Sequence, residues 1–370
     1  MNVGKAGCPG TTDGIVESHP GPVKERSGKL LGPIKRVVAS LGAALQGVFQ
    51  TCPDPPTIPA GDEQPPFLIV GHRGSAGRRP ENTIPSFELA LRSGATGIEA
   101  DLCMTADGHV VVWHDWDPET PLAQLRQRGW EPYQKYRPLV PKSGPYRKRV
   151  SQLTLDELRA HCGYRGRRGF IRKARARIPV LEELLEMVSR ADGCRFVQLD
   201  IKIPLDEAEI ASRMAASIAR SLDAARPRCD IVLNTPHESV LQGLRAGAPH
   251  LEYTHDVEIP FGLVTEPGAY SAVGRAIAIG SRWACAGRPT ILTVAPWSTF
   301  TTMVVSDIVL RAGHNSRQGA KRVEHLVSWT INKPREMACL VRLGVTGIVT
   351  DRPRRLRAIA RRLRKVRPGR

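Results

Sequence analysis

Apolar strand-like runs alternate with helical patterns along most of this chain, and that alternation constrains its fold more than any other feature. Each run is four to eight residues long, and most are followed by a segment with apolar residues every three to four positions. Eight runs are present, and they predict strands at 67–71, 97–102, 195–202, 230–234, 251–254, 289–294, 325–331 and 346–350. Strands separated by helices form parallel sheets, so the sequence predicts a (β/α)8 TIM barrel.

The helical segments between these strands support the same fold. They predict helices at 83–93, 180–190, 205–222, 237–246, 333–343 and 352–366. Pro85 falls in the first turn of the first helix, where a missing N–H is tolerated. Helical spacing is poorest between 251 and 294, so the sequence constrains that part of the barrel least.

Two additions to the barrel are predicted after its second strand. Asp107-Gly108 precedes the run 110–114 and predicts a hairpin attached to that strand, because Asp-Gly favours a primed turn. Residues 117–177 then form a long insertion with sixteen Lys/Arg and five Asp/Glu, interleaved with aromatic residues. Aromatic and basic residues together suit an anionic lipid interface or a nucleic-acid backbone.

The net charge of +18 is concentrated in two segments. The insertion contributes +11, and residues 352–370 contribute +10 because they hold ten Lys/Arg and no acid. The remainder of the chain is therefore nearly neutral. Such basic segments attract polyanions, although a general bias toward arginine and a solvated outer face of the last barrel helix explain them equally well.

The first 66 residues are predicted to be an extension with a Pro-rich linker, ahead of a barrel at 67–366 and a tail at 367–370. Residues 1–27 have a disordered composition. Residues 30–50 place a basic pair before an apolar run, which is typical of an amphipathic helix on the barrel or of a secretion signal. No run is apolar enough to span a membrane, so we expect a cytoplasmic or membrane-peripheral protein, exported if 30–50 is a signal.

The eight cysteines are scattered, without a C-x-x-C pair or zinc spacing. In a chain this long, we expect free thiols or incidental disulfides.

Polar residues end several predicted strands, where a TIM barrel places its catalytic groups. Glu99 and Asp101 are two residues apart, so their carboxylates lie on one face of the second strand. Asp200 and Lys202 repeat that spacing on the third strand. The other strand-end residues are His72, Arg73, Trp329, Asn332 and Asp351.

Each of these residues also has a simpler explanation when taken alone. A Glu-x-Asp pair is often a solvated strand end, a histidine such as His114 often caps a strand, and Trp329 could be a core residue. The run 80–83 could be a turn with Asn82 or Thr83 capping the next helix. Their occurrence together, in order and at predicted strand ends, favours an active site.

Five short runs together resemble the signature of the glycerophosphodiester phosphodiesterase family, within the phosphatidylinositol phospholipase C-like phosphodiesterase superfamily. These are Gly71-His72-Arg73-Gly74, Pro80-Glu81-Asn82-Thr83, Gly97-Ile98-Glu99-Ala100-Asp101, Asp107-Gly108 and Trp113-His114-Asp115. Weaker matches continue to about residue 353. The family is a (β/α)8 barrel, which agrees with the strand count.

The resemblance implies a role for each residue of the site. Glu99, Asp101 and Asp200 would bind one divalent cation, Ca²⁺ or Mg²⁺, which prefers carboxylate oxygens. His72 and His114 would be the acid–base pair, with their order undecided by the sequence. The remaining implied site residues are Arg73 and Lys202 on the phosphate, Glu81 and Asn82 orienting the substrate or His72, and Trp329 at the substrate.

The chain departs from the family pattern at three points. Asp200 stands where the family has Glu, which shortens its reach to a cation by one methylene. The usual Arg-Thr-Thr run after the His-Asp pair is absent, and residues 116–120 stand there instead. The insertion is also longer and more basic than usual.

The predicted activity is metal-dependent hydrolysis of glycerophosphodiesters to glycerol 3-phosphate and an alcohol. One alternative is a lysophospholipase D or sphingomyelinase D-like enzyme on the same barrel, and another is a non-enzymatic barrel that binds polyanions or phosphoinositides. The expected partners are a small phosphodiester or lysophospholipid substrate and an anionic membrane surface, without a specific nucleic acid. The sequence does not indicate an oligomeric state.

Overall fold

A computed structural model describes residues 52–58, 64–166, 176–256, 271–288, 297–317 and 319–366. Its strands are β1 (Leu68–Gly71), β2 (Gly97–Met104), β3 (Val110–Val112), β4 (Tyr136–Leu139), β5 (Gly163–Gly166), β6 (Phe196–Ile201), β7 (Asp230–Thr235), β8 (Glu252–His255), β9 (Trp283–Gly287), β10 (His325–Trp329) and β11 (Gly347–Thr350). Its α-helices are α1 (Ile84–Arg92), α2 (Pro121–Gln127), α3 (Leu155–His161), α4 (Leu181–Ser189), α5 (Ile210–Ala225), α6 (Glu238–Gly247), α7 (Ala272–Ile279), α8 (Trp297–Asn315), α9 (Pro334–Leu343) and α10 (Pro353–Val366). Short 3₁₀ turns cover Val150–Gln152 and Leu205–Glu207.

The eight parallel strands form a nearly closed barrel. Their order is β8-β7-β6-β2-β1-β11-β10-β9. At the seam between β8 and β9, the Thr254 hydroxyl donates a hydrogen bond to the Trp283 carbonyl oxygen at 3.2 Å. Helices follow most of the strands, so the predicted (β/α)8 barrel is confirmed.

Alternation of side chains along the strands divides the apolar core into two parts. Leu68 and Val70 point into the barrel, whereas Ile69 between them packs against the helices. The barrel interior is filled by Leu68, Val70, Phe196, Val232, Trp283, Cys285, Val327 and Val349. These side chains fill the barrel, so it has no open channel. A site can therefore form only above them, at the face where the carboxyl ends of the strands lie.

The sixth barrel strand lies earlier in the chain than predicted. It is β9, Trp283–Gly287, whereas the predicted strand at 289–294 lies outside the described residues. Its sequence Trp-Ala-Cys-Ala-Gly lacks β-branched residues, so local propensity does not reveal it. Trp283 stacks between Phe196 and His325, with ring centroids 4.4 and 3.9 Å away, and this packing specifies the strand instead.

Both predicted additions after the second strand are present. β3 pairs antiparallel with β2, with Cys103 opposite Val111, as expected for the hairpin. The insertion contains α2, α3 and an antiparallel pair, β4 and β5. A capping box between Thr154 and Glu157 begins α3.

One disulfide joins Cys52 in the linker to Cys339 on α9, with their Cα atoms 5.5 Å apart. The sequence allowed for free thiols or incidental disulfides, and this pair forms a disulfide. The two residues are 287 positions apart, so no spacing rule could have paired them. Because Cys52 precedes the first strand, the disulfide attaches the linker to the barrel.

Several predictions fall outside the described residues. They concern the N-terminal segment 1–50, part of the insertion at 167–175, and the tail at 367–370. Within the described ranges, no helix combines the length and the apolar character needed to cross a bilayer.

Candidate active site

The turn after β1 places two site residues at the rim of the barrel. A Cβ atom on Gly71 would lie 2.4 Å from the Gly74 carbonyl oxygen, so only glycine fits this close approach. Between them, Arg73 has a left-handed backbone with φ of 49°, an uncommon conformation for a residue with a side chain. Strained backbone of this kind is concentrated at functional sites.

Three carboxylates meet at the ends of β2 and β6. Asp101 and Asp200 are register partners on these neighbouring strands, and Glu99 lies on the same face of β2. Oxygen atoms of the three lie within 4.8 Å of one another. Asp101 Oδ1 is buried and forms no hydrogen bond, although the Lys202 ammonium lies 3.1 Å away. This set of hard oxygen donors fits a divalent cation.

Burial and crowding perturb these carboxyl groups. Burial, together with the Asp101 charge, raises the pKa of Glu99 to about 8. Burial would also raise the pKa of Asp101, but the Arg73 and Lys202 charges hold it well below its ordinary value. The cluster therefore favours a positive charge between the carboxylates.

Each histidine of the pair is held by its own carboxylate. The Nδ1 atom of His72 lies 2.8 Å from Asp351, and Nδ1 of His114 lies 2.6 Å from Asp115. Because Nδ1 is occupied in both rings, Nε2 is the nitrogen left for exchange of a proton.

The two histidines differ in their electrostatic surroundings. Burial and the Arg73 charge would lower the pKa of His72, but the Asp351 and Glu99 carboxylates offset this and raise it. Burial lowers the pKa of His114 well below its ordinary value, and the nearby Arg126 charge adds to the effect. The site therefore holds one histidine that tends to keep its proton and one that tends to be neutral.

Arg73 lies among three carboxylates. Its guanidinium is 2.9 Å from Glu81, 3.0 Å from Glu131 and 2.8 Å from Asp101. Burial would lower the pKa of Arg73, but these carboxylates raise it well above its ordinary value. Its positive charge is therefore retained within the buried site.

The insertion contributes a residue that the sequence analysis did not identify. Arg126 on α2 is 1% exposed, and its Nε atom donates to Asp115 at 2.8 Å. Its terminal nitrogens pair with Glu81 and Glu131. The sequence offered no local signal for this contact, because Arg126 is one of many arginines in the insertion and is 11 positions from Asp115.

Three other predicted residues are held by neighbouring polar groups. The Asn82 side chain donates to Asp101 at 2.7 Å, and Lys202 pairs with both Asp101 and Asp200. The Trp329 indole N–H donates to Asp256 at 2.8 Å. Asp256 is a further residue that the sequence analysis missed, because its segment carried a weak pattern.

The structure brings most of the predicted site residues around one cavity of about 760 Å³. Those lining the cavity are His72, Arg73, Glu99, Asp101, His114, Asp200, Lys202 and Trp329. Glu81 and Asn82 lie behind this surface and hold Arg73 and Asp101 in place. His72 is positioned by Asp351 instead.

The fold and this cavity define a TIM-barrel hydrolase in which two carboxylate-backed histidines lie beside a carboxylate cluster. The model of the glycerophosphoryl diester phosphodiesterase family matches residues 72–355, and the chain belongs to this family. A relative from Caldanaerobacter subterraneus subsp. tengcongensis, named glycerophosphodiester phosphodiesterase, is 26% identical over 296 residues. That alignment covers 80% of this chain and 98% of the relative.

Solved structures share the barrel. A Silicibacter pomeroyi protein, provisionally named a glycerophosphoryl diester phosphodiesterase, has a TM-score of 0.58 and 26% identity, covering 82% of this chain and 96% of its own. A phosphodiesterase from Oleispira antarctica, solved with the product sn-glycerol-3-phosphate, has a TM-score of 0.53 and 17% identity, covering 80% and 96%. At that identity the second likeness concerns the fold alone.

Proposed function

We propose that this protein hydrolyses glycerophosphodiesters to sn-glycerol 3-phosphate and an alcohol, with one divalent cation at Glu99, Asp101 and Asp200. The observation that carries the proposal is the meeting of this carboxylate cluster and two carboxylate-backed histidines in one cavity. A protein that only bound phosphate esters would have no need of two histidines that differ in proton affinity. Membership of the family supports the same reaction.

A bound hard cation, Ca²⁺ or Mg²⁺, would supply positive charge to the phosphoryl group as negative charge develops on it. Arg73 and Lys202 hold the non-bridging phosphate oxygens from the two sides of Asp101. Both side chains are fixed by buried carboxylates before a substrate arrives, so they need little reorganisation during the reaction.

His72 and His114 move the protons. One Nε2 atom removes a proton from the attacking water, or from a neighbouring hydroxyl of the substrate, as the new P–O bond forms. A cyclic phosphate formed by the hydroxyl is then opened to glycerol 3-phosphate by a water, with the two histidines exchanging roles. The other Nε2 atom protonates the alkoxide that leaves when the ester P–O bond breaks. Asp351 and Asp115 keep the two rings oriented through Nδ1 and stabilise each imidazolium when it is protonated.

The direct test is release of glycerol 3-phosphate from glycerophosphocholine by the full chain. We expect turnover that is lost with a chelator and restored by Ca²⁺ or Mg²⁺. Replacement of either histidine by alanine should reduce kcat by about 10²–10⁴-fold. The proposal would be wrong if turnover persisted in the presence of the chelator and also in the double variant His72→Ala, His114→Ala.

A further inference from the structure

Large apolar side chains are exposed around the mouth of the active-site cavity. In the ranges the structure describes, the exposed large hydrophobic residues are Leu122, Trp130, Leu205, Val309 and Leu310. Single exposed apolar residues are ordinary on protein surfaces, but a group around one opening indicates an interaction surface. Three of the five belong to such a group.

These three residues lie in segments that line the cavity. Leu122 on α2 lines the cavity and is 40% exposed. Trp130 is 57% exposed and directly precedes Glu131, which lines the cavity. Leu205 is 61% exposed, and both of its chain neighbours, Pro204 and Asp206, line it. The three residues, named here the apolar rim, therefore border one opening from the insertion and from the segment after β6.

Positive charge accompanies the apolar rim. The loop after β1, the insertion and the segment after β11 meet at Tyr133: Gly77 lies beside its carbonyl oxygen, and the Arg352 guanidinium lies 4.2 Å from its ring. These segments expose Arg78, Arg79, Arg128, Lys135 and Arg352.

The acidic residues at the mouth do not neutralise this charge. None of those five basic side chains forms an ion pair with another described residue. By contrast, the exposed carboxylates of Glu119 and Asp206 are already paired with Arg147 and Arg149. Within the described part of the chain, the open end of the barrel therefore combines protruding apolar side chains with positive charge that has no acidic partner.

We propose that the open end of the barrel docks on an anionic lipid surface through the apolar rim. Tryptophan and leucine enter the interface between headgroups and acyl chains, while arginine and lysine contact the anionic headgroups. A nucleic acid would be attracted by the same charges but would leave the leucines exposed to water. Resting on the proposed phosphodiester hydrolysis, the substrate would be a lysophospholipid drawn into the cavity from the docked surface, and its hydrolysis would give an acylated glycerol 3-phosphate and the headgroup alcohol.

Vesicle binding by the full chain tests the docking surface directly. Two vesicle preparations are used, phosphatidylcholine alone and phosphatidylcholine with about one-third phosphatidylglycerol. The test variant carries Trp130→Ala and Leu205→Ser, and the matched control carries Val309→Ser and Leu310→Ser on α8. We expect binding to the anionic vesicles only, weakened about tenfold or more in the test variant and within about twofold of wild type in the control.

Tryptophan fluorescence gives a second readout of the same contact. Trp130 is the most exposed tryptophan in the part of the chain that the structure describes. We expect its emission to shift to the blue and to be quenched by brominated lipid on anionic vesicles, and we expect Trp130→Phe to lose most of that quenching.

Two outcomes would overturn the docking surface. One is equal vesicle binding by the test variant and the control variant. The other is that the protein binds a single-stranded oligonucleotide more tightly than the vesicles, and that the test and control variants bind it with equal affinity.

Enzyme assays separate this proposal from the proposed function. Turnover of water-soluble glycerophosphocholine should be unchanged in the test variant, whereas turnover of lysophosphatidylcholine in anionic vesicles should fall with binding. Vesicle binding without turnover of either substrate would contradict the proposed function and leave the docking surface supported. Equal turnover of vesicle-borne substrate by the test and control variants would overturn the inferred substrate class.

Discussion

At the scale of single residues, the site depends on charges that are buried in pairs. Asp101 and Asp200 are register partners on β2 and β6, and Asn234 is the register partner of Asp200 on β7. Asp200 has a shorter side chain than the family's usual glutamate. It stands beside its register partner Asp101, so its oxygens still come within 4.8 Å of those of Asp101 and Glu99. This register explains how an aspartate can complete the cluster.

Asp200→Asn tests that residue. Loss of one anionic ligand should weaken cation binding, so we expect the cation concentration for half-maximal turnover to rise about 10–100-fold, the range seen on altering groups around a metal. Turnover measured against cation concentration gives the answer, with Asp200→Glu as the control that restores the family's residue. An unchanged cation dependence in Asp200→Asn would show that Asp200 is not a ligand.

Arg126→Gln tests the positioning of His114 by the insertion. Without the guanidinium, Asp115 loses its only arginine partner among the described residues, and Glu81 and Glu131 keep Arg73, which should cost about 3–5 kcal/mol of unfolding free energy. We expect kcat to fall more than KM rises, because His114 loses its orientation while the phosphate-binding groups remain. Steady-state kinetics and denaturant unfolding measure both effects.

The conservative variant distinguishes positioning from folding. Arg126→Lys keeps the charge but not the forked geometry, so it should recover stability more fully than kcat. Equal recovery of both quantities would contradict a positioning role.

His325 makes stability depend on pH. Its ring is buried against Trp283, and burial lowers its pKa to about 4. The unfolded chain protonates this group near its ordinary pKa of 6.5, so its contribution is complete above pH 6.5 and is lost as the pH falls toward 4. The loss should reach roughly 3 kcal/mol. Denaturant unfolding at several pH values should show that His325→Phe, which keeps a stacked ring, has a shallower pH dependence than wild type.

At the scale of elements, close backbone contacts decide how the strand ends are arranged. Gly74 has φ of 85°, and a Cβ there would lie 2.6 Å from Ser86 at the start of α1. The contact packs the turn after β1 onto α1, and the Ser86 hydroxyl donates to the Arg73 carbonyl oxygen at 3.0 Å. Packing of the helix thereby holds the turn that carries His72 and Arg73.

Gly74→Ala should displace that turn. Gly108 provides a matched control, because it has the same φ of 85° but a Cβ there would meet no atom within 4 Å. We expect Gly108→Ala to cost about 1 kcal/mol for the backbone conformation alone. Gly74→Ala should cost several times more and reduce turnover, as measured by thermal unfolding and by glycerophosphocholine hydrolysis. Similar losses in the two variants would show that the contact with Ser86 is unimportant.

At the scale of the whole molecule, a disulfide and a long insertion are added to the barrel. The Cys52–Cys339 bond closes a loop of 287 residues, nearly the whole barrel. Such a bond persists where thiols are oxidised. The insertion also contributes to a distant part of the molecule, since it supplies Arg126 to the site and Trp130 to the apolar rim.

Cys339→Ser measures the contribution of the disulfide. Its removal should lower the unfolding free energy by roughly 2–4 kcal/mol, because the unfolded chain gains freedom. Wild type should lose a similar amount in reductant, while Cys339→Ser should be insensitive to it. If oxidised wild type unfolds at the same denaturant concentration as the reduced protein, the bond makes no contribution.

The local sequence pattern was sufficient to predict a strand or helix where the residues of that element specify it by themselves. Seven of the eight predicted strands overlap barrel strands, and the six predicted helices have counterparts. β9 was misplaced because packing of Trp283, not strand propensity, defines it. Arg126 and Asp256 were missed because a residue's role in a site depends on partners that are distant along the chain.

By itself, the sequence determined the barrel and the set of groups at its strand ends, because hydrophobic periodicity and short motifs act locally. Tertiary structure decided three further features: the Cys52–Cys339 bond, the Arg126 contact with Asp115, and the gathering of the apolar rim. Each joins residues that no local rule relates. Closure of the barrel brings these distant residues together, and buried charges are stable only when opposite charges lie beside them.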